Sequence, residues 1–326
     1  SRHHIEVAVT TEQKLVQLHN YLDNNNVKTG VALDAMCGLG AIGIYLFKYG
    51  FEKVIFPSSL KEIPGSVFSS NTSLTDTNIG SLTQLKTVGD SAFSGCTSLA
   101  GEINLVGLTS LEKLGDSAFS GCSGITDVKM PNNLEYLGNG TFSGTGITGQ
   151  IKLPSGLKTL GNAYNGLAKV TGSVTIPSSV EKLLSGSTSQ SNDAIFGGTS
   201  ISSLTVNGTK LSIREGAYNG MSELTSVTIG SGVVEIRESA FDSDSKLSSV
   251  TMSNSVKLIG QGAFYGCTAL KSIKLSDNLE YIGATYTQVS RGLGVFQGSG
   301  IQEITIPASV KYIGEHTFCN CESLTK

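Results

Sequence analysis

Gly38, Gly40 and Gly43 stand at G-x-G-x-x-G spacing inside "VALDAMCGLGAIGIYLFKYGFEKVIF", residues Val31 to Phe56. The stretch reads as strand, glycine turn, helix, strand, and such glycines let a backbone approach the pyrophosphate of a dinucleotide or bind S-adenosylmethionine. Other candidate chemistry is sparse. The six cysteines (Cys37, Cys96, Cys122, Cys267, Cys319, Cys321) are too few for a disulfide scaffold in 326 residues, and Cys319-Asn320-Cys321 has neither redox nor zinc spacing. His3, His4, His19 and His316 are scattered, no G-x-S-x-G occurs, and no carboxylate pair recurs beside another. Metal, catalytic and cofactor-binding residues are therefore all expected to be none.

The elements around the glycines decide against a cofactor. A ribose-binding acid is wanted at the end of the second strand, where Pro57, Ser58 and Ser59 stand, and no further strand-helix alternation follows. "LDAMCGLGAIG" matches the first methyltransferase motif as a string, so an S-adenosylmethionine or dinucleotide enzyme stays as a remote alternative. The favoured reading is a cap. "TTEQKLVQLHNYLDNNN" reads as a helix opened by a Thr10 and Gln13 capping box and closed at Asn24 to Asn26, and "AIGIYLFKY" as a short apolar helix. Residues 1–45 are expected to form a small helical N-terminal capping segment.

Self-similarity organises the rest. "AFSGCTSL" at 92–99 returns as "AFSGCSGI" at 118–125, "AFDSDSKL" at 240–247, "AFYGCTAL" at 263–270 and "TFCNCESL" at 317–324. Strand-like steps such as "SVTIP" and "EITIP", then "NLEYIG" and "SVKYIG", lie between them. The aromatic anchors are Phe68, Phe93, Phe119, Phe142, Tyr164, Phe196, Tyr218, Phe241, Phe264, Phe296 and Phe318, with a dominant period near 23. One such unit cannot bury its own apolar face, so neighbours must stack with their copies roughly 4.8 Å apart. In the last unit Ile301, Ile304, Ile306, Val310, Ile313 and Phe318 are expected to point inward.

The "AF-x-G-C-x-x-L" and "I-x-I-P-x-S-V-x-x-I-G" segments together resemble the BspA-like leucine-rich-repeat family of bacterial surface proteins, from about Leu46 to Lys326. The fold expected is a leucine-rich-repeat solenoid over 46–326, built of short parallel strands, turns and short back-side helical segments, with the last repeat incomplete. The resemblance implies a cell-surface or secreted, non-catalytic solenoid that binds extracellular or host surface proteins, some members being described as adhesins. Its signal peptide is taken as already removed. A structural spacer without a ligand is the alternative.

Charge agrees with this class. A formal net charge of −3 and 15% charged residues provide no basic field for nucleic acid, and no apolar run approaches the roughly 18–20 residues of a membrane span. No partner nucleic acid and no membrane insertion are expected.

Candidate protein-binding residues follow from the repeat frame. Tyr281 and Tyr312 occupy equivalent positions in consecutive repeats, and Tyr136 stands at the same position further back. Exposed tyrosines give rigid amphipathic contact area. Arg214 and Arg237 replace the usual glycine after the aliphatic, each followed by a glutamate, as an anion-binding edge or a self-neutralised ladder. Two intervals of 32 carry insertions, "LLSGSTSQSNDAIF" and "ATYTQVSRGLGVF", and Tyr286 and Arg291 are candidate contacts on the second. The outward strand row reads Asn104, Lys129, Lys152, Thr175, Thr205, Thr228, Thr251, Lys274 and Thr305. Cys96, Cys122, Cys267 and Cys321, each three residues after an anchor, read as filling a small buried slot.

Overall fold

The computed structural model describes residues 7–9, 33–35, 52–56, 58–185, 194–284 and 292–325. The chain divides into two compact units, Ser1–Thr148 and Gly149–Lys326. Each is a parallel-strand solenoid of stacked coils.

In the first unit, Lys53–Val54 pairs with Asp76–Thr77, and Gly101–Asn104 with Ile125–Lys129. A second row stacks Glu62–Ile63, Thr87–Val88, Lys113–Leu114 and Tyr136–Leu137 in sequence order, all parallel. In the second unit the front row is Thr171–Ile176, Ser200–Val206, Ser226–Ile229 and Ser249–Met252. The second row there runs Leu211–Ile213, Val233–Ile236, Leu258–Gly260, Tyr281–Ala284 and Tyr312–Ile313. The strands are short because each coil must turn several times within one period, so each strand contributes only a few buried residues.

The predicted aromatic ladder stands in the turn segments between the strands. Phe68, Phe93, Phe119 and Phe142 stack in the first unit with centroids 5.2, 5.2 and 5.9 Å apart and planes within 12°. In the second unit Phe196, Tyr218, Phe241, Phe264, Phe296 and Phe318 stack at 5.4–6.4 Å with planes within 24°. Offset stacking of this kind adds to the burial each ring already contributes.

Polar residues staple the coils. At the start of the second row Asn133 Nδ2 donates to the Leu111 carbonyl (2.7 Å), Ser179 Oγ to Leu157 (2.7 Å), Ser255 Oγ to Val233 (2.6 Å) and Ser309 Oγ to Leu279 (2.7 Å). Each bridges neighbouring coils. The glycine of the "Ile-Gly" signature has a steric cause. A Cβ on Gly115 would lie 2.7 Å from the Asp90 nitrogen and 2.8 Å from the Gly89 carbonyl carbon, so the coils touch there backbone to backbone.

The back segments differ from expectation. They are runs of turns, and the one helical element among the described residues is the 3-10 turn Ile79–Ser81. Two causes are visible. Residues on either side of the anchor take left-handed φ, as at Ser91 (56°) and Gly95 (76°) around Phe93, which breaks a right-handed helix. The anchor's N–H then bonds sideways, Phe93 to the Ala118 carbonyl and Phe119 to the Thr141 carbonyl (both 2.8 Å), instead of back along the chain.

The helical N-terminal cap finds no support either. What is described of residues 1–45 is strand: Val7–Val9 pairs in parallel with Leu33–Ala35. Both expected helices and the glycine turn lie outside the described residues, as do 186–193 and 285–291 of the two insertions.

Candidate protein-binding surface

Tyr281 opens the strand Tyr281–Ala284 and Tyr312 opens Tyr312–Ile313, and the two tyrosines are register partners. The backbone sets this: the Lys311 N–H donates to the Glu280 carbonyl (2.8 Å) just before the pair. Strand alternation sends Ile282 into the core and turns Tyr281 and Tyr312 outward, 39% and 48% exposed. Glu280 and Lys311 flank them and pair at 2.5 Å. The Lys311 ammonium, by hydrogen bond and charge, holds the Glu280 carboxyl below its ordinary range, and Glu280 in turn raises Lys311.

Ile313 is a correction. Expected inward, it is 47% exposed, whereas its counterparts Ile236, Ile259 and Ile282 are fully buried. Ile304, Ile306, Val310 and Phe318 are half-buried for the same reason, while Ile301 is fully buried. An inward residue is sealed by the coil on each side, and among the described residues no coil covers the far side of 301–325. Tyr281 and Tyr312 thus form an exposed aromatic pair on the outward side of the second row, and Ile313 points the other way.

The other candidates are engaged elsewhere. Tyr136, in the first unit, is half-buried; its hydroxyl donates to Asp116 Oδ1 (3.2 Å), and Lys113 Nζ sits 5.2 Å over its ring. Burial first, and the Asp116 charge second, push its hydroxyl up to about 12. Arg214 is half-buried and donates to the Leu184 carbonyl (2.6 Å) and to the Glu215 carbonyl (2.8 Å). Arg237 meets Glu235 Oε2 at 3.3 Å, which also accepts from Ser212 Oγ (2.7 Å). Glu235 stands two residues back, and Glu238, next to Arg237, is buried. Tyr286 and Arg291 lie outside the described residues.

The outward strand row is present as a ladder: Thr175, Thr205, Thr228 and Thr251 are in direct register, with Ser203, Ser226 and Ser249 in register two residues earlier. Ser226 Oγ bonds Ser203 Oγ at 2.9 Å. Charges along the coils pair across neighbours, as in Lys129 with Glu102 (2.6 Å) and Lys246 with Glu223 (2.7 Å).

The buried slot after the anchor also has a defined chemistry. Each thiol donates to the carbonyl of the preceding anchor: Cys96 to Phe68 (3.1 Å), Cys122 to Phe93 (3.0 Å), Cys267 to Phe241 (3.2 Å) and Cys321 to Phe296 (2.9 Å). Burial raises the Cys267 thiol well above its ordinary value, so it is a packed donor and not a nucleophile. The same slot holds Asn71, Asp244 and Ser299, which counting cysteines did not reveal. Among the described residues no three His, Cys, Asp or Glu side chains stand together as a metal set, and no helix is long and apolar enough to cross a membrane.

Comparison with known proteins matches this geometry. The family described as "BspA type Leucine rich repeat region" matches residues 37–148, 100–192 and 189–325 in six copies. A leucine-rich repeat protein of Bacteroides ovatus is 24% identical over 84% of this chain and 77% of its own, with a TM-score of 0.50. A leucine rich cell surface protein of Faecalibacterium prausnitzii is 20% identical over 86% of this chain and 80% of its own, at a TM-score of 0.38. A leucine-rich repeat protein of T. pallidum is 17% identical over 68% and 78%, at 0.37. No curated protein is significantly similar to the chain.

Proposed function

The chain belongs to the BspA-type leucine-rich-repeat family, and from that premise we propose that it is a cell-surface or secreted, non-catalytic solenoid that adheres to proteins of host or microbial surfaces. The observation that carries the reading is the register-paired, outward Tyr281 and Tyr312. Charges such as Lys129, Lys246 and Lys311 are paired with acids of neighbouring coils, whereas the two tyrosines offer apolar area with two phenolic hydroxyls. Aromatic groups of this kind dominate the energetics of protein interfaces.

The test is biolayer binding of the full chain to extracellular-matrix proteins and mucin glycans, beside a Tyr281→Ser, Tyr312→Ser double variant. Saturable binding weakened by at least about tenfold in the double variant is expected, the loss of two interface aromatics. Binding retained in full by the variant would remove the tyrosine pair from the site. Absence of binding to every member of the panel would favour the ligand-free spacer.

A further inference from the structure

Asp244 occupies the slot that elsewhere holds a thiol donor, and it is fully buried. Its surroundings are those of the core: Phe241 of its own coil is stacked between Tyr218 and Phe264. Asp244 Oδ1 accepts the N–H of Met221 at 2.7 Å. In the equivalent turns that N–H goes to the anchor's own carbonyl, as Cys96 to Phe93 (3.1 Å) and Cys122 to Phe119 (3.2 Å), so the carboxyl has redirected the turn of the preceding coil. Oδ2 has no hydrogen-bond partner.

The groups facing it do not neutralise a charge. The preceding coil contributes the N–H groups of Met221 and Gly220, its own coil contributes Asp242, and the following coil contributes Cys267, whose thiol Asp244 pushes further up. Lys246, two residues on, is turned outward to Glu223 at 2.7 Å. An ionised carboxylate buried without a cation is costly, whereas a protonated one needs only the partners a hydroxyl would.

We propose that Asp244 is a pH-sensitive packing element of the second unit: as a neutral acid it fills the thiol slot, and on losing its proton it becomes a buried charge that loosens the coils around Phe241. Burial, opposed by the two backbone N–H groups and aided by Asp242, raises its carboxyl from 3.8 to about 8. The sign follows from proton linkage. The folded chain holds a proton that the unfolded chain releases near pH 4, so stability is full below that value, declines as pH rises from about 4 to about 8, and is level above. The limiting slope is about tenfold in the unfolding equilibrium per pH unit.

The experiment is hydrogen exchange on the full chain at pH 5, 6, 7 and 8, corrected for the intrinsic pH dependence of exchange. Protection of the segment 218–247 is read against 93–122 of the first unit, whose slots hold cysteine. The wild type is compared with Asp244→Cys, the residue four other coils carry, and with Asp244→Asn. In the wild type, protection of 218–247 should fall with pH relative to 93–122, and both variants should abolish that relative fall. An equal pH dependence in wild type and in whichever variant folds would overturn the proposal, as would a wild-type segment whose relative protection is constant.

Discussion

Phe264 has no exposed surface and a ring on each side, while Phe318 at the end of the same stack is half-buried. Phe264→Ala should therefore cost about 3–5 kcal/mol in equilibrium urea unfolding, and Phe318→Ala distinctly less. Equal losses would mean that stacking on both faces is not what the ring contributes. Tyr136 offers a second reading at this scale. Because Asp116 is the next cause after burial of its raised hydroxyl, Asp116→Asn should let Tyr136 ionise below about 12, though above the ordinary 10.0 that burial still opposes. Ultraviolet titration of tyrosinate would follow it, and an unmoved titration would exclude the carboxylate as a cause. Residue identity was legible from the repeat at most core slots; Asp244 was not, because counting cysteines singles out the coils that conform, and not the one that departs.

At the scale of the coil, the contacts that decide stability are between backbones. Gly115→Ala places a methyl against the Gly89 and Asp90 backbone, which cannot rotate away, and should cost about 1–3 kcal/mol by thermal unfolding. A neutral outcome would mean the coils separate there at little cost. Surface pairs should matter far less: a double-mutant cycle on Lys246 and Glu223 is expected to give a coupling below about 1 kcal/mol. The coil also explains why the back segments were misread as helical. Their compact, small-residue composition suits a helix turn, but N–H groups such as that of Phe93 find their acceptors in the next coil. That competition between local and inter-coil bonding cannot be judged from a single period of sequence.

For the molecule as a whole, the distribution of charge bears on how it would bind. The tyrosine pair is bordered by Lys311 and Glu280, which satisfy each other, so a partner held there should show weak salt dependence, with affinity changing less than about threefold between 0.05 and 0.5 M NaCl. A steep dependence would point instead to charged residues elsewhere on the chain. The period, the aromatic column, the outward threonine row and the family could all be read from the sequence, because a solenoid repeats one environment, so recurrence in the chain is recurrence in space. What only the tertiary structure decided is what lies across from each repeated position. Ile313 is exposed although its sequence copies are buried, since burial needs a coil on both sides. Arg237 meets Glu235, two residues back, at 3.3 Å, a pairing that the adjacent Glu238 in the sequence did not suggest. Asp244 is an isolated acid in a column of thiols, a thioether, hydroxyls, an amide and a leucine, a fact that depends on residues about one period away on either side and on no local pattern.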